Sequence, residues 1–320
     1  MRHHEEQQDP AGDLTTDSNL PALFRSLDEA AVENQRRFWR RYACGLAFLV
    51  VAAGFSAAAS VAHGDAEGIL LGLAAASFLV TVFAEFLNTQ SEAEDRWSNL
   101  RALAELVKER SWRYAVGGDP YPTDVPDVDS RFSDDLELVL EEARKWGVPP
   151  AREGYQITGA MRDLRARSLE ERQDAYLRGR LQDQQHYYME KANPAGSFRS
   201  SLAKKGNLWT SAVLGLGLLG IFVGLGAILG GWVDLMPMVA AAAASATAWS
   251  KAKQYTATAR RYGPTSHALA NVRRGAECTS PEDQWCRLVD RAEDAMAREH
   301  IQWSAAMGVD VTGIKPHWPD

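Results

Sequence analysis

The chain has 320 residues, with 42 acidic against 35 basic side chains and a formal charge of -7. That balance excludes an electrostatic nucleic-acid binder, which carries a basic excess, so no nucleic-acid partner is expected. A mean hydropathy of -0.30 excludes a protein embedded in membrane from end to end, and the apolar residues, 46% of the chain, must therefore be concentrated in blocks.

Residues 1–20 read as an acidic, polar tail without the apolar core of a signal peptide. From 43 to 62 there are twenty residues without a formal charge. As a helix rising 1.5 Å per residue this run is about 30 Å long, the thickness of the hydrocarbon core of a bilayer. A five-residue tip, "HGDAE", precedes seventeen more uncharged residues at 68–84. The third run, 208–233, has twenty-six residues, and the fourth, 235–250, is short and rich in alanine. A core helix of a soluble protein keeps a polar face, and these runs have none. We read them as four membrane spans in two hairpins.

Flanking charge tests this reading independently. Arg36, Arg37, Arg40 and Arg41 stand before the first span, and Arg96, Arg101 and Lys108 follow the second. Lys204 and Lys205 precede the third, and Lys251 and Lys253 follow the fourth, while the tips 63–67 and 230–237 hold no Lys or Arg. The positive-inside rule puts both tips outside and both termini, with 88–207, in the cytoplasm. Trp39, Trp209, Trp232 and Trp249 fall at span ends, as an interfacial aromatic belt would have them.

The third span contains Gly215-Leu-Gly217-Leu-Leu-Gly220, which has the form of a dinucleotide-binding turn. That turn needs a strand before it and a polar-faced helix after it, and the sequence predicts neither. Gly220 with Gly224, and Gly226 with Gly230, instead place small residues four apart, a spacing that admits close helix contact. Ser77, Thr81, Glu85 and Asn88 are spaced along one side of the second span. Ser56 with Ser60, and Ser245 with Thr247, are polar pairs in the first and fourth. All are candidates for pore lining or for helix packing.

Charged, helical sequence flanks each hairpin. Residues 91–115 carry Trp97, Leu100, Leu103, Leu106 and Val107 at helical spacing, and the helix could continue directly from the second span. A second amphipathic helix covers roughly 130–146 with Ser133 as its N-cap, a long charged helix runs from about 160 to 192, and two more occupy 251–275 and 281–306. No period-two alternation is present, so the expected fold class is all-α. The order charged helix, hairpin, charged helix occurs twice. This gives domains at 21–150 and 151–306 between tails 1–20 and 307–320, divided near the Pro- and Gly-rich 146–154. The three cysteines, Cys44, Cys278 and Cys286, form neither a disulfide framework nor a metal site; free thiols are the preferred reading, and a Cys278–Cys286 pair is the alternative.

"YLRGRLQDQQHYYMEKA" (176–192) ahead of a two-helix hairpin, "RRYGPTSHAL" after it and "LVDRAEDAMAREHIQW" (288–303) resemble the SLATT domain, the SMODS- and SLOG-associating two-transmembrane effector domain of bacterial conflict systems. "DRWSNLRALAELVKERSWRYAVGGDPYP" (95–122) is similar to another branch of the same group. The resemblance implies a bacterial membrane effector without catalysis or cofactor. It would oligomerise and open a pore when a nucleotide-sensing or nucleotide-synthesising partner protein is triggered. A membrane-anchored scaffold that recruits a cytosolic partner is the alternative. Tyr176, Arg180, Gln184 and Tyr188 share a face of the long helix, and Glu299, His300 and Trp303 cluster near the C-terminus. No nucleophile or metal ligand accompanies His300, and contacts between helices are the expected role of both groups.

Overall fold

The computed structural model describes residues 14–90, 92–148, 156–186, 236–252, 273 and 281–306, with backbone alone at 93, 236, 250–252 and 297–306. Every regular element among them is helical. We number the α-helices α1 Ala22–Ala59, α2 Asp65–Gln90, α3 Ala93–Val116, α4 Val128–Lys145, α5 Gly159–Arg165, α6 Leu169–Tyr176, α7 Met236–Ala252 and α8 Glu282–Ala306. The chain forms two compact units. One lies within Met1–Asn34, Asp95–Ala192 and Arg261–Asp320, the other within Gln35–Glu94 and Asn193–Arg260.

The first unit is a helical domain around a single aromatic core. α3 supplies Leu100, Leu103, Val107, Trp112 and Tyr114, all buried. α4 buries Phe132, Leu136, Val139 and Ala143, the three- and four-residue spacing of one helix face. α8 adds Trp285, Leu288, Val289, Ala292 and Met296. Tyr176 sits between Trp112 and Trp285, edge-on to both rings at centroid distances of 6.0 and 5.6 Å. Tyr114, Tyr121 and Phe132 form a second group of three rings.

Several boundaries differ from expectation for local reasons. The second span does not run on into α3, because Glu92 takes a left-handed φ of 44° and turns the chain. α4 begins at Val128, soon after Pro126, so Ser133 lies inside it and its hydroxyl bonds back to the Asp129 carbonyl at 2.8 Å. The long charged helix is broken at 166–168, where Ser168 opens α6 with a capping box closed by Glu171. α6 then widens into a π-helical turn at Leu177–Gln182.

Among the described residues, two helices are long and apolar enough to cross a membrane, α1 and α2. α1 is the central member. Thr81 Oγ1 donates to the Gly45 carbonyl at 3.0 Å and Arg41 Nη1 to that of Leu87 at 3.4 Å. Later positions on α2 thus meet earlier ones on α1, the register of an antiparallel hairpin. A Cβ on Gly45 would lie 3.5 Å from that of Ala84, so the missing side chain lets the two helices approach closely. α7 packs on α1 in the same sense. Trp249 meets Trp39 at 5.4 Å and Tyr42 at 6.1 Å, Ser245 Oγ donates to the Leu46 carbonyl at 3.4 Å, and Met238 Sδ lies 3.5 Å from the position of a Gly54 Cβ. The fifteen steps from Trp39 to Gly54 correspond to about 22 Å of antiparallel contact.

Candidate functional site

Two arrangements stand out, one in each unit. In the second unit, α2 reverses the burial pattern of a water-soluble helix. Its buried side chains are Ser77, Ala84 and Asn88, with Ser77 and Asn88 each 7% exposed. Large apolar residues face outward instead: Ile69 is 64%, Leu79 66% and Phe83 60% exposed, with Leu71, Phe78, Val82 and Phe86 close behind. Water would penalise such a surface at roughly 25 cal/mol per Å², whereas lipid does not. Small and polar groups facing the partner helix with apolar groups facing away is the pattern of helices packed within a bilayer.

The polar span residues are placed as follows. Ser77, Thr81 and Asn88 lie on the side of α2 that carries the Gly45 contact, and Glu85 is exposed. Ser60, just past the end of α1, donates its Oγ back to the Ala57 carbonyl at 2.7 Å, Thr247 Oγ1 donates within its own helix to that of Ala243 at 2.8 Å, and Ser56 is exposed. Ser245, by contrast, reaches across to another helix through its bond to the Leu46 carbonyl. Arg36, Arg37 and Arg40 are exposed on α1, immediately before its apolar length. Gly220, Gly224, Gly226, Gly230, Lys204, Lys205, Lys253 and Tyr188 lie outside the described residues, as does the third span. Glu299, His300 and Trp303 fall in α8 and Lys251 in α7, where the backbone alone is described.

In the first unit, a seam of ion pairs links α3, α6 with its π-helical turn, and α8, and Arg113 carries it from the first repeat to the second. Glu293 on α8 is fully buried, and it receives the Tyr176 hydroxyl at 2.8 Å and Arg180 Nη2 at 2.9 Å. Gln184, the third described residue of that predicted face, is half-buried. Arg113 on α3 donates to Glu109 at 3.0 Å, to Asp290 at 2.5 Å and to Asp294 at 3.2 Å. Arg172 spans Glu282, at 2.8 Å, and the Val116 carbonyl, at 2.6 Å. Trp285 Nε1 donates to the same carbonyl at 2.9 Å. The last turn of α3, whose carbonyls have no partner within the helix, is thus capped from α6 and from α8. Arg172 also places a positive charge at the negative end of the helix dipole. A Cβ on Gly118 would come within 2.5 Å of Val289, so only glycine permits α8 to lie against this turn.

Burial sets the electrostatics of the seam. It raises the Glu109 carboxyl to about 7, with Arg113 opposing the shift and the nearby Glu293 adding to it. Burial would lower the Arg113 guanidinium, but Glu109, the Asp290 hydrogen bond and Glu293 outweigh it and hold the group above its ordinary value. Arg180 is held above its ordinary value in the same way, burial being overcome chiefly by Glu293. Cys286 is a buried free thiol donating to the Gly117 carbonyl at 3.0 Å, and burial pushes it up to about 11, which makes it a poor nucleophile.

Sequence reasoning found Tyr176 and Arg180 but missed Glu293, Arg113 and Arg172. A signal for Glu293 existed. Trp285, Val289, Ala292 and Met296 form an apolar stripe in which Glu293 is the lone charge, and a charge within such a stripe calls for a buried partner.

The described chain is thus an all-helical protein with a membrane-type helical hairpin and a cross-braced helical domain. Comparison with protein families agrees and is more specific. Residues 21–173 match the SMODS and SLOG-associating 2TM effector domain 3, and residues 176–303 match the SMODS and SLOG-associating 2TM effector domain 1. The chain belongs to the SLATT family, as two of its two-transmembrane effector domains in tandem. No curated protein and no solved structure shows significant similarity to it.

Proposed function

We propose that the protein is a four-span effector of a bacterial anti-phage conflict system. It resides in the cytoplasmic membrane with both termini inside, and it oligomerises to form a pore or disrupt the bilayer when a nucleotide-sensing or nucleotide-synthesising partner is triggered. The observation that carries this reading is the reversed burial of α2, whose outward face suits lipid or a neighbouring span and not water. The antiparallel packing of α7 on α1 supports a second hairpin in the membrane, since a fourth span must run opposite to the first. Membership of an effector family described by its two transmembrane helices supports the role. No catalytic group enters the reading.

Graded induction of the full chain in bacteria tests it, because mass action favours assembly as the membrane concentration rises. A potential-sensitive dye should report depolarisation ahead of growth arrest. If membranes stay polarised while the protein accumulates there at high density, both alone and with the triggered partner protein co-expressed, the effector reading falls and the membrane-anchored scaffold takes its place.

A further inference from the structure

α1 carries Arg36 and Arg40, both exposed, and the same face continues through Ala43, Ala47 and Val51, all exposed. Spacings of four, three, four and four keep these five positions on one stripe of the helix. From Arg40 to Val51 the rise is about 16 Å, half of the hydrocarbon thickness. The neighbouring arginine differs, because Arg41 is turned to the Leu87 carbonyl and so belongs to the α1–α2 contact. On the other flank Trp39 packs on Trp249, an aromatic pair at the level where headgroups begin. The arginine pair therefore stands where a lipid-facing stripe leaves the hydrocarbon. A lipid lying along Ala43, Ala47 and Val51 brings its phosphate to the two guanidiniums.

We propose that Arg36 and Arg40 form a binding site for the headgroup phosphate of an anionic phospholipid whose acyl chains run along the exposed face of α1. Two guanidinium forks one turn apart can each present paired N–H donors to phosphate oxygens, a geometry that lysine does not offer. The site rests on α1 crossing the bilayer, and it holds whether or not the assembly conducts.

The full chain is reconstituted in phosphatidylcholine vesicles containing spin-labelled phosphatidylglycerol or spin-labelled phosphatidylcholine. The protein-bound, motionally restricted fraction is then measured. Wild type should prefer phosphatidylglycerol, and the preference should collapse at high salt. Each arginine removed in Arg36→Gln and Arg40→Gln should lower it by up to roughly five-fold, until parity is reached in the double variant. Resistance to alkaline carbonate extraction reports insertion separately, and where the double variant is extracted, the single variants decide. Equal binding of the two lipids by inserted wild type overturns the proposal, as does a preference unaltered by salt and by the substitutions. Lipid indifference with protein self-association lost in the double variant also overturns it, assigning the pair to a second copy of the chain. Extraction of wild type by carbonate instead removes the membrane-spanning reading itself.

Discussion

At the residue scale the seam has the energetics of buried charge. Glu293 and Arg180 are both out of water, so removing one partner strands the other. Glu293→Ala should cost about 3–5 kcal/mol, seen as a large drop in thermal midpoint of the detergent-solubilised protein. Replacing the whole group by apolar residues, Tyr176→Phe with Arg180→Met and Glu293→Leu, should restore most of the loss, because nothing is then left unpaired. An equal loss in both variants would mean that packing, not charge, dominates there. Glu109 acts in the opposite direction. Its carboxyl is raised to about 7 when folded against about 4.3 in an unfolded chain. Between those values the folded state holds a proton that the unfolded state has released, so stability declines as pH rises across the window. The side chain keeps 16% exposure, and water relieves part of the burial penalty. Glu109→Gln should therefore flatten the decline and raise stability at pH 8 by on the order of 1–2 kcal/mol. A pH profile unchanged from wild type would show that another group titrates.

At the element scale the helices were mostly legible and their ends were not. α1 and α2 announce themselves by uncharged length and by flanking arginines, signals that depend only on the chain's solvent. Breaks depend on side-chain bonds that compete with the helix. Three residues after Ser133 stands Leu136, whereas three after Ser168 stands Glu171, and only Ser168 closes a capping box. The candidate face of the second span was legible as a stripe, but not which helix it would meet. That depended on Gly45, an ordinary glycine in sequence whose role appears only when Thr81 and Ala84 lie over it. Gly45→Ala should be tolerated, because its Cβ would meet Ala84 at an ordinary 3.5 Å. Gly45→Leu should wedge the helices apart and break the Thr81 bond. Its thermal midpoint in detergent should fall by several degrees, and a midpoint equal to that of Gly45→Ala would show that the helices do not pack at this point.

At the scale of the whole molecule, the tandem order was legible because the sequence twice places apolar runs between charged helical stretches. The cross-bracing was not, because it is carried by contacts 44 to 181 residues apart. The first unit takes helices from both family domains, so neither half holds a complete core. Without α3 and α4, the second half loses the carbonyls of Tyr114, Val116 and Tyr121 that accept from Arg165, Arg172 and Trp285. It would also expose Trp285, Val289 and Met296, now buried. Opening the chain between α4 and α5 and expressing both parts together should therefore give a complex that co-purifies through a tag on either part. The second part expressed alone should aggregate or be degraded, since its exposed apolar face has no partner. Recovery of that part alone, with cooperative unfolding near the midpoint of the intact chain, would falsify the shared core. The shared core also bears on activity. On the proposed effector reading, loosening the Arg113 pairs with Asp290 and Asp294, which join α3 to α8, acts on both family domains together. Charge-removing variants of those pairs should then alter the onset of depolarisation, while substitutions confined to the α4 surface, such as Glu137→Gln, should not.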